Sequence, residues 1–280
     1  MSKIYLIEGL PGSGKTTFAR RLNDFLINEN VLVKKYNEGD LHPVDLAWTA
    51  IFDDISFITL KSKYPELVSQ FKDYLKKIDD LYYLAYTNIK IDVNTKDFYD
   101  YCEKYEIYKT RDIECFFSTH LRLWQEFLSE DLEDDYVYIF ECIFLQNHIN
   151  ELILKYGLNE EEIIAYFKKF SKVFSGFDVN LIYINQNNPS KILQRITEER
   201  RTNNKELYRD WIDHVIEYVE QKNISGISKY NGYSGVESFF LDRKKLEERV
   251  LDRINLNKLV VELNDDYDQV FEEIKKFVKI

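Results

Sequence analysis

Hydrophobic spacing along the chain alternates between two periods. Residues 3–8 (KIYLIE) are a short apolar run that ends at a glycine-rich turn, which predicts a buried strand. Over 16–27, Phe18, Leu22, Phe25 and Leu26 recur at helical spacing. Residues 31–36 predict a second strand, followed by Asn37-Glu38-Gly39-Asp40. From about 43 to 130 the apolar positions keep a helical period. Leu67, Val68, Phe71, Leu75 and Ile78 form one stripe there, and Ile113, Phe116, Phe117, Leu121, Trp124 and Phe127 a second. Residues 82–94, between the stripes, are assigned no element from the sequence. Strands return at 136–140 (YVYIF) and at about 179–184, the latter leading into a helix with Pro189 at a favourable first-turn position. A last strand at 259–263 precedes a helix marked by Tyr267, Val270, Phe271, Ile274, Phe277 and Val278. The acidic run 130–135 reads as a solvated turn.

Strands separated by helices imply α/β architecture, a parallel sheet covered on both faces. A length of 280 residues would admit two domains at about 150 residues each. With no internal repeat and no low-complexity linker, one unit over 1–280 carrying a helical insertion at about 43–135 is the simpler expectation. Nine glycines and four prolines are too few for a sandwich of many short strands and favour long helices. A net charge of −11 argues against duplex DNA or an anionic membrane as partner, since both reward a basic face. Cys102, Cys115 and Cys142, with His42, His120, His148 and His214, offer neither a disulfide framework nor zinc spacing. Nothing resembles a signal peptide, and no apolar run approaches the roughly 18 residues of a membrane span, so the expectation is a reduced, cytoplasmic protein.

One motif changes this picture. Gly9-Leu10-Pro11-Gly12-Ser13-Gly14-Lys15-Thr16 matches G-x-x-x-x-G-K-[ST] in full, between a predicted strand and a predicted amphipathic helix. Glycines let backbone N–H groups turn inward and cradle phosphate oxygens, and the helix adds the positive end of its dipole. In this pattern the lysine reaches the β- and γ-phosphates and the threonine hydroxyl holds Mg²⁺. A GTPase would add D-x-x-G and N-K-x-D, and neither string occurs.

With its long insertion between the second and third strands and its arginines after the fourth, the chain resembles the P-loop nucleoside and nucleotide kinases, notably thymidylate kinases and deoxynucleoside kinases. The resemblance is specific at residues 9–17, Thr17 included, and topological over about four-fifths of the chain. It implies a three-layer P-loop NTPase sandwich with a five-stranded parallel sheet in the order 2-3-1-4-5. It also implies ATP as donor, Mg²⁺ as metal, a nucleoside- or nucleotide-like acceptor held by the insertion, and a lid at about 189–235. No nucleic acid polymer or membrane partner is expected, and a homodimer is left open.

The same resemblance gives roles to further residues. Glu141, ending the third strand, would sit across from Thr16 and hold a Mg²⁺-bound water or contact the acceptor, or else cap the next turn. Related kinases follow this acid with an arginine for substrate phosphate, where this chain has Cys142. Glu38 falls where deoxynucleoside kinases place the base that takes the acceptor hydroxyl's proton, with Asp40 as the competing candidate. Two acids and a missing arginine tilt the acceptor towards a hydroxyl. Arg195 and Arg200 would close the lid over the phosphates, with Arg201 a weaker choice, although the same charges also suit a solvated helix face. On a continuous helix Arg195 and Arg200 lie about 140° apart, so they converge only where the helix bends or ends. Asp45, Trp48, His120, Arg122, Gln146, Asn147 and His148 are further acceptor candidates. For Trp48 and His120 a place in the core is the competing reading.

Overall fold

The computed structural model describes residues 2–37, 41–110, 112–203, 209–224, 226–264 and 266–278. In chain order the elements are β1 (Lys3–Glu8), α1 (Lys15–Asn28), β2 (Leu32–Tyr36), β3 (Thr49–Phe52), α2 (Asp54–Lys63), α3 (Val68–Phe71), β4 (Leu75–Ile78) and β5 (Leu81–Ala85). They continue as α4 (Phe98–Glu103), α5 (Ile113–Glu126), β6 (Tyr136–Glu141), α6 (Gln146–Leu154), α7 (Glu160–Phe170) and β7 (Asp178–Asn185). The rest are α8 (Pro189–Glu199), α9 (Trp211–Lys222), α10 (Gly232–Arg253), β8 (Asn257–Glu262) and α11 (Tyr267–Phe277). Two compact units result, residues 1–38 with 133–280, and residues 39–132.

The first unit is an α/β layer structure on a five-stranded, all-parallel sheet ordered β2-β6-β1-β7-β8. Successive side chains of β1 point to opposite faces. Tyr5 and Ile7 enter a core with Phe18 and Leu22 of α1, Ile182 and Ile184 of β7, and Val270, Phe271 and Ile274 of α11. Each fully buried large apolar side chain there contributes about 1.5–3 kcal/mol. Stacking of Phe18 on Tyr267 (ring centroids 5.3 Å apart) and an edge contact of Phe25 with Phe271 (6.3 Å) join α1 to α11. Glu8 lies on the opposite face, in register with Tyr183. That face is closed by α10, packed on α6 and α7. Pro189 opens α8, whose N-cap Asn188 accepts a hydrogen bond from Lys191 N at 3.0 Å.

The second unit corrects the expectation of an all-helical insertion. It holds a three-stranded antiparallel sheet, ordered β3-β5-β4, around its own aromatic-rich core of Phe52, Phe57, Tyr64, Phe71 and Phe98. The first predicted stripe breaks after Phe71. Leu75 and Ile78 belong to β4, and Ile78 pairs with Leu81 across the two-residue turn Asp79-Asp80. Asp79 has φ +52°, which aspartate tolerates better than most residues and which two-residue hairpins require at this position. The β-prone run Leu81-Tyr82-Tyr83-Leu84 then overrides the helical spacing before it. The second stripe does form a helix, α5, burying Phe116, Phe117, Leu123 and Trp124. No helix among the described residues is long and apolar enough to cross a membrane.

Candidate functional site

The chain leaves β1 at Glu8 and turns through Gly9, Gly12 and Gly14, with φ of +148°, +77° and +81°. A Cβ on Gly9 would lie 2.6 Å from Ile184 O, and one on Gly12 would lie 2.6 Å from Ile196 Cγ2. Both positions therefore need glycine for space as well as for backbone angle. The loop is held from outside by Gln186, whose Nε2 donates to Pro11 O at 3.1 Å, and from within by Ser13 N donating to Leu10 O at 3.2 Å. Leu10 is buried.

Gly14 is the N-cap of α1 and supplies no capping side chain, and the first turn carries no acid. Phe18 N donates to Gly14 O at 3.0 Å, closing the first helical ring, so the amides of Lys15, Thr16 and Thr17 have no intrahelical acceptor. Dipole-aligned donors of this kind at a helix start favour an anion. Lys15 is buried, and its Nζ donates to Gly9 O at 2.9 Å and Leu10 O at 3.0 Å. Ser13 Oγ is buried with no hydrogen-bond partner among the described residues. A helix start without intrahelical acceptors, one buried cation and an orphaned hydroxyl suit an anionic ligand.

Thr16 Oγ1 donates to Glu141 Oε1 at 2.5 Å, joining the start of α1 to the end of β6. Glu141 is itself buried. Among the described residues no cluster of three or more His, Cys, Asp or Glu side chains could hold a metal. A site of one hydroxyl and one carboxylate nevertheless fits Mg²⁺, which keeps several waters and takes most other ligands from substrate phosphates. Immediately after Glu141 the chain reverses at Cys142, with φ +64°. Cys142 N donates to Ile7 O at 3.1 Å.

Two buried residues at this site were not legible as site residues. Gln186 follows β7 without any motif. Glu8 is fully buried, with Oε1 accepting from Phe144 N at 2.6 Å and Oε2 from Gln146 N at 3.3 Å. Burial pushes its carboxyl up to about 7, against the pull of the backbone amides. Behind it, Arg243 Nε donates to Glu247 Oε1 at 2.5 Å, and Tyr183 Oη donates to Glu247 Oε2 at 2.6 Å. Arg243 also reaches Asn150 Oδ1 at 3.1 Å.

The remaining expected residues are dispersed. Arg195 meets the loop, its Nη2 donating to Gly12 O at 3.4 Å while Nε lies 3.7 Å from Glu199 Oε1. Arg200 caps the end of α8 and sets its guanidinium 5.1 Å from the Trp211 ring centroid, a cation–π contact. Arg201 borders an open cavity of about 690 Å³ with Lys191, Gln194 and Tyr233. Glu38 and Asp40 lie outside the described residues. Gln146 accepts from Arg243 Nη2 at 3.5 Å, and His148 Nδ1 is 2.7 Å from Tyr166 Oη in the packing of α6 on α7, so both are interior residues. Within the second unit His120 is buried and donates from Nδ1 to Phe116 O at 2.8 Å. Burial lowers its pKa to about 4, as in a core histidine. Arg122 pairs with Asp79 at 3.5 Å. Asp45 Oδ1 accepts from Ala47 N at 2.9 Å. Trp48 is not a core residue: it is 51% exposed. In comparisons with known proteins, no protein family matches the sequence and no curated protein matches it.

Proposed function

We propose that this chain is an ATP- and Mg²⁺-dependent small-molecule kinase on a P-loop fold, transferring the γ-phosphate to a hydroxyl of a nucleoside- or nucleotide-like acceptor. The observation that carries the reading is the 2.5 Å contact of Thr16 with Glu141 beside a glycine loop whose lysine is already drawn into it. Counted within its own sheet, the strands run second, third, first, fourth, fifth, which supports the P-loop part of the proposal.

Backbone amides of Gly12 and of residues 14–17 would bind the β- and γ-phosphates, and Lys15 would turn from the Gly9 and Leu10 carbonyls to the same oxygens. Thr16 and Glu141 would hold Mg²⁺, directly or through water. When bound, the ion neutralises phosphate charge and polarises the transferring group. Arg195, whose Nη2 rests on the Gly12 carbonyl, would be the lid cation that closes over the phosphates. Glu38 or Asp40 would accept the acceptor's proton. Cys142 supports a hydroxyl acceptor, because it puts no cation where a phosphate acceptor would need one.

ADP release measured across a panel of nucleosides, nucleotides, sugar nucleotides and aminoglycoside antibiotics tests the proposal. Stimulation by a hydroxyl compound is the expected result. Tight ATP binding with turnover that no acceptor raises would instead mark an ATP-binding switch.

A further inference from the structure

Glu8 carries an inference that rests on the magnesium reading above and goes beyond it. Its carboxylate takes its hydrogen bonds from the turn after β6, with Lys15 of the loop a nearby charge. It lies on the opposite face of β1 from Tyr5 and Ile7, fully buried, in the amides that open α6. Those amides follow Glu141 by only a few residues, and the intervening turn is strained. Cys142 holds φ +64°, a conformation that a non-glycine residue keeps only where its surroundings impose it. Two contacts from the end of β1 do so. Cys142 N donates to Ile7 O at 3.1 Å, and Phe144 N donates to Glu8 Oε1 at 2.6 Å.

We infer that Glu8 is a positioning residue for the metal site, holding the 142–146 turn so that Glu141 meets Thr16. The same strand end launches the phosphate loop, since Gly9 follows directly. One carboxylate thereby fixes the Glu141 side of the metal site to the strand that carries the loop. An amide in its place keeps the shape but offers one acceptor instead of two. Its NH₂ then confronts the N–H of either Phe144 or Gln146, donor against donor. The turn relaxes, Glu141 drifts from Thr16, and the loop amides keep their arrangement.

Binding, not turnover, separates this role from a merely structural one. The affinity of a non-hydrolysable ATP analogue is measured by calorimetry in EDTA and in excess MgCl₂, for wild type, Glu8→Gln and Glu141→Gln. In EDTA, Glu8→Gln binds within about twofold of wild type. The gain in affinity on adding Mg²⁺ falls about tenfold, the range typical when a partner of a metal ligand is removed. Glu141→Gln loses at least as much. Should Glu8→Gln be insoluble, Glu8→Asp keeps the charge with shorter reach and shows the same loss of Mg²⁺ gain to a smaller extent. A full Mg²⁺ gain in the Glu8 variants beside a reduced one in Glu141→Gln overturns the positioning role alone. Equal weakening of both affinities overturns it too, by placing Glu8's effect in the loop. An unchanged Mg²⁺ gain in Glu141→Gln removes the metal reading, and the role of Glu8 with it.

Discussion

Gly12→Ala should disable the loop through its contact with α8. The new methyl would sit 2.6 Å from Ile196 Cγ2 and 2.9 Å from Ile192 Cγ2, on a backbone at φ +77°. Both neighbours are β-branched residues on a helix, where χ1 has essentially one setting, so neither Cγ2 can rotate away. The positive φ costs alanine about 1–2 kcal/mol, and overpacking costs about 1–3 kcal/mol. Together they predict a loss of about 2–5 kcal/mol, a fall in Tm of roughly 4–15 °C for a chain of this size. Moving α8 aside to relieve the clash would also pull Arg195 from Gly12 O, now 3.4 Å away. A double-mutant cycle in urea isolates the contact. Ile196→Ala alone should cost about 2–5 kcal/mol by leaving a cavity. Combined with Gly12→Ala it should cost less than the sum, by the overpacking share of about 1–3 kcal/mol. Additivity within about 0.5 kcal/mol would refute the described packing of the loop on α8.

Lys15→Ala should abolish acceptor-stimulated ADP release while circular dichroism stays close to wild type, because the lysine's hydrogen bonds in the fold go only to the Gly9 and Leu10 carbonyls of its own loop; unaltered turnover would remove the loop assignment. Stability should also carry the titration of Glu8, which faces Glu247 and Lys15 and whose carboxyl is raised from 4.5 to about 7. A raised acid binds its proton more tightly when folded, so its contribution is full below pH 4.5 and declines as pH rises to about 7. At about 1.4 kcal/mol per unit the decline is of order 3 kcal/mol. Urea midpoints from pH 4 to 8 should show wild type losing stability relative to Glu8→Gln across that window, and parallel curves would contradict the burial of a titrating Glu8.

The central strands β1, β6 and β7 were legible as short apolar runs bounded by turn residues, whereas the edge strands β2 (LVKKY) and β8 (NKLVVE) are only partly apolar. The glycine loop and the places of Lys15 and Thr16 in it were legible because the motif fixes residue type and spacing within a single turn. The hairpin of β4 and β5 was not. Its turn is Asp79-Asp80 in place of the usual asparagine- or aspartate-glycine, and Leu75 and Ile78 continue a helical spacing by accident. Glu8 and Gln186 were hidden for another reason. Their partners are backbone groups brought near by the fold, and a backbone amide leaves no mark in the sequence. Arg200 reads as a lid arginine in the chain, yet the end of α8 turns its charge to Trp211.

The register of β1 also sets an order of assembly. Lys3 pairs with Val137 on one side and Asp178 on the other, both far along the chain. β3, β4 and β5 meet across much shorter separations. Ends must be brought together before long-range pairs repay the lost chain entropy, so the insertion can gain its aromatic core while β1 still has no neighbour. Until β6 and β7 arrive, the glycine loop has no Ile184 carbonyl to press against and Thr16 has no Glu141. The proposed phosphate site would thus be completed late in folding, although it is carried by some of the earliest residues in the chain.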